Sequence, residues 1–418
     1  MDPSKHAKLS EDLVRPETMA DDDRIHATFA TLRSESPVHW TDVEGWRPFW
    51  SVTKHADIIE IERQNDRFLN DPRLTIQSIE TEKSIERFTG GKRLLRSLVD
   101  MDNPDHRKFR AMTQAYFMGP NIRKLEDRFA KLAKTTIDKL TQNGLEGEID
   151  FVNDIAVWYP LRGIMQILGV PEEDEKLMLT LTQELFGATD PDMARENSSN
   201  NMNAITDFYN YFNAVTADRR ANPTDDVATV IANAELDGEP IGELEAVSYY
   251  VIVATAGHDT TSSSTAGGLL ALIENPDQLR KLQSDLSLLP AAIDEMIRWV
   301  TPVKHFFRTA TDDYELRGQK IKAGDNLCMW YPSGNRDEEV FDDPYAFNIE
   351  RTPNPHLAFG YGAHHCLGHL FAKMEMRALF TELLNRLEEI EVTGPTDRVK
   401  ANFVSGLKTL PIRYKLSA

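Results

Sequence analysis

Cysteine is scarce in this chain: Cys328 and Cys366 are the two among 418 residues. Two thiols cannot build a disulfide framework, and so few suit a reducing compartment. Long hydrophobic runs are missing as well. The most apolar internal stretch, residues 249–256, is too short to span a bilayer and runs into His258 and Asp259. Residues 1–35 are polar and acidic, which argues against a signal peptide or an anchor. Positive charge is in deficit, with 47 Lys and Arg against 67 Asp and Glu and a net charge of −20. Such an excess of carboxylates repels phosphate backbones and anionic lipid, so neither nucleic acid nor membrane is expected as a partner. Repeats and low-complexity linkers are absent too, so one domain over residues 1–418 is the default. The expectation is a soluble, cytoplasmic, monomeric chain.

What is present reads as mainly α with a smaller β part. Two short β-rich runs, residues 38–40 and 49–52, flank the turn-like Glu44-Gly45 and suggest an N-terminal sheet. From about Phe109 to Leu289 the pattern is mainly helical, and Asp102-Asn103-Pro104-Asp105 is a plausible helix start. Residues 241–274 predict one long helix of about 50 Å, stopped by Pro276 and crossing the molecule. Its middle, residues 256–265, is polar and poor in helix formers, a local conflict of the kind that marks function. Pro290 opens a short helix carrying Glu295 and Arg298, and residues 314–316 and 319–321 form a hairpin around Arg317-Gly318. After an irregular stretch, residues 331–358, a last helix begins at Leu367 with apolar Leu370, Phe371, Met374 and Ala378 in helical rhythm. Residues 402–404 and 410–414 predict a small β-rich end.

The segment Phe359-Gly360-Tyr361-Gly362-Ala363-His364-His365-Cys366-Leu367-Gly368 delivers one cysteine on a Gly-rich loop to the first turn of that helix. Backbone N–H groups and the helix dipole there favour a thiolate, the form an iron ligand takes. Gly360, Gly362 and Gly368 remove side chains where a flat macrocycle would lie against backbone. Three other readings stay open on spacing alone. Cys366 is a buried small hydrophobe, a nucleophile paired with His364 or His365, or part of a His364, His365 and Cys366 zinc site.

The loop resembles the haem-binding signature of the cytochromes P-450, Phe-x-x-Gly-x-x-x-Cys-x-Gly, at Phe359, Gly362, Cys366 and Gly368. Further marks of that family follow in order over nearly the whole chain. The resemblance implies haem b (iron protoporphyrin IX) between the long helix and the cysteine-bearing helix. It makes Cys366 the axial ligand and puts His364 near a haem propionate. Ala256-Gly257-His258-Asp259-Thr260 resembles the family's oxygen-activation motif. Reducing dioxygen in a dry pocket needs protons, which Asp259 can relay and Thr260 can position, while Ala256 and Gly257 leave room. His258 and residues 261–265 receive no role, since hydroxyls bonding backbone carbonyls explain the run. Glu295-Met296-Ile297-Arg298 with Arg351 is similar to the family's Glu-x-x-Arg triad, read as structural. His106 and Arg110, four apart on one helix face, and Arg308 resemble its propionate binders, guanidinium forks being suited to carboxylates.

Family positions that touch substrate fall on Val253, Ala256, Val303, Phe306, Phe403 and Val404, a mostly apolar set that predicts a small hydrophobic molecule. Lys304 and His305 either read a polar group or turn away. Residues 255–264, 333–339 and 402–412 resemble the bacterial branch that includes terpineol monooxygenase, which implies a monoterpene or an aromatic hydrocarbon of similar size. A separate reductase is expected, since residues 1–418 read as one domain. The resemblance therefore implies O2 and electrons from a [2Fe–2S] ferredoxin with its NAD(P)H-dependent reductase. Arg107, Lys108, Lys373 and Arg377 are candidates for a docking patch. The competing functions are P-450 chemistry on a steroid, fatty acid or natural-product intermediate, a peroxide-driven peroxygenase, a haem sensor, and a cysteine hydrolase. Peroxygenases usually carry Arg and Pro where Asp259 and Thr260 stand.

Overall fold

In a computed structural model the described residues are 2–93, 95–142, 144–186 and 200–417, the side chains of 183–186 and 200–204 excepted. The two early β runs pair as expected. Strands Val38–Thr41 and Phe49–Val52 are antiparallel, with Trp40 opposite Trp50. They form one edge of a five-stranded sheet completed by strands from far along the chain, Asn326–Trp330, His305–Ala310 and Phe68–Leu69. Cys328 lies on the central strand, fully buried. Burial pushes its thiol well above the ordinary range, so it packs as a small hydrophobe.

The rest is mainly helical. Helices Gly119–Leu140, Trp158–Leu168, Asp259–Glu274, Leu289–Val300 and His369–Arg386 pack around two apolar clusters. One holds Leu269, Leu272, Met296, Leu379 and Phe380. The other holds Phe117, Phe129, Ile164, Tyr250 and Phe371. Each such side chain contributes about 1.5–3 kcal/mol through burial. Residues 187–199 of the expected helical span lie outside the described residues. The hairpin over Tyr314–Leu316 and Gln319–Ile321 forms in the expected register, with Arg317 and Gly318 at φ of 49° and 77°.

Four expectations need correction. The long helix is two, Glu243–Ala256 and Asp259–Glu274, broken at Gly257-His258. Pro276 does not simply stop it but opens the next helix, Pro276–Ser284, after the Asn275 cap. The cysteine-bearing helix starts at His369, so Cys366 precedes it by three residues. Residues 402–404 form no strand. Val404 makes an isolated bridge to Val303, and the terminal strands are Leu407–Thr409 and Pro411–Leu416. No described helix is long and apolar enough to cross a membrane.

Candidate active site

The cysteine loop is closed by its own backbone. Gly360 N–H donates to Leu357 O at 2.9 Å, and Cys366 N–H donates to Phe359 O at 2.8 Å. Gly362 has φ +71°, and a Cβ there would strike the carbonyl oxygen of Glu62. Loop packing, not room for a macrocycle, thus makes that position glycine. Gly368 differs: a Cβ would meet nothing within 4 Å, so open space lies beside the cysteine. Cys366 is half-buried. Burial pushes its thiol up, while the Gly368 N–H and the Arg110 guanidinium pull it down. A metal ion binding there would displace the proton and take the thiolate. Phe359 packs beside the loop against His356, His365 and His369.

Helix Asp105–Gln114 brings His106 and Arg110 to this loop. The His106 ring lies over His364 with centroids 3.9 Å apart, and Arg110 Nη2 donates to His365 O at 2.8 Å. Burial, then neighbouring positive charge, pushes His106 down to about 4 and His364 down to about 2. Both rings are neutral at ordinary pH. Asn70 Nδ2 lies 2.7 Å from His364 Nε2 and can only donate, which leaves the ring proton on Nδ1. Asn70 is itself fixed by Asp102, whose carboxylate accepts from its Nδ2 at 3.0 Å and its backbone N–H at 2.9 Å. The helix starts within the expected stretch, at Asp105, and the Asp102 carbonyl accepts from His106 N–H at 2.9 Å. His106 Nε2 is buried without a partner among the described residues. Arg308 reaches the same region buried, but its Nη2 donates to Glu62 Oε1 at 2.9 Å. Tyr331 O–H also donates to Glu62 Oε1, at 2.7 Å. Neither Asn70 nor Glu62 carries a sequence signal, because each meets its partner across more than 200 residues.

The break at Gly257-His258 has visible causes. Thr260 Oγ1 donates to Ala256 O at 2.9 Å and Ser264 Oγ to Thr260 O at 2.8 Å, side-chain bonds of the kind that bend helices. A Cβ on Gly257 would lie 2.7 Å from Ile164 Cδ1, so Gly257 admits the neighbouring helix rather than oxygen. Ala256 is exposed although it sits mid-molecule. Asp259 is placed beside Thr260 in the first turn of the second helix. Burial pushes its carboxyl up, opposed by His258, and Oδ2 is buried without a partner among the described residues. His258, which carried no expected role, has its Nδ1 3.2 Å from Asp259 Oδ1.

The six expected pocket residues share one property. Val253, Val303, Phe306, Phe403 and Val404 are half-buried and Ala256 is exposed, on elements whose other apolar side chains are buried. Val303 bridges to Val404, and the rings of Phe306 and Phe403 lie 5.3 Å apart. Gly406 packs on Ser263, which sets this segment against the helix of Thr260. Lys304 and His305 turn away. Lys304 Nζ donates to Thr301 O at 3.0 Å and Val300 O at 3.2 Å, and His305 engages Asn402 O and Ile76 N–H at 2.9 and 3.0 Å.

Glu295, Arg298 and Arg351 form a buried cluster beneath the site. Arg298 Nε and Nη2 each donate to Glu295 at 2.7 Å, and Arg351 Nε does so at 3.2 Å. Burial would raise the Glu295 carboxyl, but the hydrogen bonds and charge of Arg298 outweigh it and hold it below the usual range. Arg298 Nη1 also donates to Asn335 O at 2.8 Å, and Asn335 Oδ1 accepts from Leu357 N–H at 2.6 Å, which ties the cluster to the loop. Of the four expected docking cations, Lys108, Lys373 and Arg377 are ion-paired with Asp237, Asp294 and Glu126. Arg107 is exposed. Glu375, on the cysteine helix, is fully buried with neither carboxylate oxygen partnered among the described residues. Burial raises its carboxyl well above the usual range.

This assembly fits a flat apolar macrocycle bearing carboxylates and a central metal. A thiol stands beside open space, a buried imidazole nitrogen lacks a partner, and apolar side chains are left uncovered inside the molecule. Residues 80–417 match the sequence profile of the family Cytochrome P450. The chain is 44% identical to Cytochrome P450-terp of a Pseudomonas species, over 97% of each chain. It is 34% identical to a methyl-branched lipid omega-hydroxylase of Mycobacterium bovis, over 94% of this chain and 92% of that one. The crystal structure of CYP108D1 from Novosphingobium aromaticivorans superposes with a TM-score of 0.91 at 42% identity, covering 98% of this chain and 99% of the other. A closed cysteine loop, a broken helix with an acid and an alcohol, and these matches lead to one conclusion: the chain belongs to the cytochrome P450 family, monooxygenases that bind haem b through a cysteine thiolate.

Proposed function

We propose that this enzyme hydroxylates a small, uncharged hydrophobic molecule of monoterpene size, with Cys366 as the iron ligand. The observation that carries the substrate class is the lining. Val253, Ala256, Val303, Phe306, Phe403 and Val404 offer apolar surface, and the nearest cation and imidazole, Lys304 and His305, are spent on backbone groups. Among these described residues, a substrate carboxylate would find no free cation and would lose its hydration. Similarity to Cytochrome P450-terp supports the same class, as does a likeness to a Mycobacterium marinum P450 crystallised with pseudoionone.

His106, Arg110, His364 and Arg308 hold the cofactor's carboxylates. The two neutral rings act as N–H donors and the two guanidiniums add charge. Bound haem supplies dioxygen activation and transfer of one oxygen atom into a C–H bond. The balance is substrate plus O2, two electrons and two protons, giving alcohol and water. Burial raises the Asp259 carboxyl, which suits it to take up and release a proton, and Thr260 presents a hydroxyl that can leave the Ala256 carbonyl to position water or oxygen. The apolar wall excludes bulk water until substrate is seated. The electrons come from a [2Fe–2S] ferredoxin, docking near Arg107 where its acidic groups compete for the paired Lys108, Lys373 and Arg377. Glu295, Arg298 and Arg351 hold the floor of the site and touch no reactant.

An optical titration tests this reading. Monoterpenes and small aromatics added to ferric protein should displace water from the iron and shift its spin state, whereas their carboxylic-acid analogues should not. A response to acids or long-chain lipids alone would overturn the substrate class.

A further inference from the structure

His258 sits at the break between the two halves of the distal helix, fully buried. Its Nε2 lies 2.9 Å from the carbonyl oxygen of Val157, which can only accept, so Nε2 carries a hydrogen. Its Nδ1 faces Asp259 Oδ1 at 3.2 Å and Thr182 Oγ1 at 3.5 Å. The Thr182 hydroxyl also lies 3.0 Å from Leu179 O, to which it donates. Nδ1 thus has two oxygens beside it, the Asp259 carboxylate being within ion-pair distance. With an unprotonated Nδ1 and an ionised Asp259, two lone pairs would oppose each other in a dry site. One proton on the pair, as imidazolium with carboxylate or as imidazole with carboxylic acid, removes that opposition. The net charge of the pair is zero in both forms. Among the described residues, His258 is the one group whose charge acts on Asp259.

We propose that His258 is a positioning residue which locks Asp259 beside Thr260 and keeps one shared proton in reserve for the reduction of oxygen. Anchored on Val157, the ring holds Oδ1 and leaves Oδ2, which has no partner among the described residues, as the oxygen that exchanges the proton. In turnover the pair gives one proton toward Thr260 and becomes a net −1 imidazole–carboxylate. Solvent refills it through the Asp259 side chain, which is 21% exposed while that of His258 is 1% exposed. The inference rests on the role proposed above for Asp259.

Two measurements test it on the haem-loaded protein. In the diamagnetic ferrous carbon-monoxide state, 15N-histidine NMR and the infrared carboxyl region should together show one proton on the pair. The signal is an imidazolium at His258 or a carboxylic-acid band that Asp259→Asn abolishes. A neutral ring with no such band overturns the proposal without need of any variant at His258. In turnover, His258→Gln should lower product per electron consumed and slow the proton-dependent step about tenfold, against the ~10²–10⁴-fold that losing a proton-transfer group itself costs. The solvent isotope effect should grow, while the substrate-induced spin shift keeps its midpoint. An unchanged isotope effect and unchanged coupling in His258→Gln, with Asp259→Asn still impaired, would leave His258 purely structural and overturn the proposal. Full turnover in Asp259→Asn would instead remove the Asp259 role itself, and this inference with it.

Discussion

Glu295→Gln removes the charge on which two buried guanidiniums converge. The native carboxylate accepts from Arg298 Nε and Nη2 at 2.7 Å each, Asn348 N–H at 2.9 Å, and Arg351 Nε and Asn354 Nδ2 at 3.2 Å each. Glutamine fits the space but turns an NH2 group toward some of those donors and leaves Arg298 and Arg351 without a counter-charge. Breaking a buried pair from one side costs about 3–5 kcal/mol. Unfolding entropy of roughly 2.1 cal/mol/K per residue amounts to about 0.9 kcal/mol/K over this chain, so Tm should fall by about 3–6 °C. Melts followed by far-ultraviolet dichroism and by haem absorbance should fall together, because Asn335 couples the cluster to the cysteine loop. The pH dependence has a definite sign. The folded carboxyl is held below its ordinary value of about 4.3, so its contribution is full above that value and fades as pH falls through the lower folded value. The gap between variant and parent should therefore close in acid. A variant that melts with the parent at neutral pH, or a gap that widens in acid, would refute the reasoning.

Two further outcomes follow from the site. Thr260→Ala removes the hydroxyl bonded to Ala256 O and should send reducing equivalents to hydrogen peroxide while the substrate spin shift is kept; unchanged product yield would contradict the role of Thr260. His106→Phe keeps a ring against His364 but deletes the unpartnered Nε2. Loss of one charge-assisted hydrogen bond, about 1.5–3 kcal/mol, should speed haem transfer to apomyoglobin roughly ten- to hundred-fold with the helical signal intact.

Parts of this arrangement were legible one residue at a time. The Gly-rich loop and its cysteine, the acid and alcohol at 259 and 260, and the i,i+3 spacing of Glu295 and Arg298 are short-range patterns, although the cysteine precedes its helix and the acid and alcohol open a second helix rather than sit mid-way along one. The reasons attached to individual residues fared less well. Gly257 and Gly362 looked like room for ligand, yet one accommodates Ile164 and the other a carbonyl from residue 62. Those neighbours come from other elements, which no local pattern can name. The unbroken helix over residues 241–274 was a fair reading of apolar content. The break coincides with Thr260 and Ser264 bonding helix carbonyls and with Ile164 packed on Gly257, a neighbour from another element.

The sequence by itself determined the class of the protein through its resemblance to a family signature, whose Phe, Gly and Cys spacing is a short-range pattern, while spacing alone left other readings of Cys366 open. It also led to the expectation of an apolar substrate pocket. Tertiary structure alone decided the protonation and direction of the polar groups around that pocket. It joined His258 to Asp259, Asn70 to His364 and Glu62 to Arg308, and it turned Lys304 and His305 onto backbone carbonyls and an amide. A buried charge or imidazole takes whatever partner the packing brings within about 3 Å, and in this fold most of those partners arrive from distant parts of the chain.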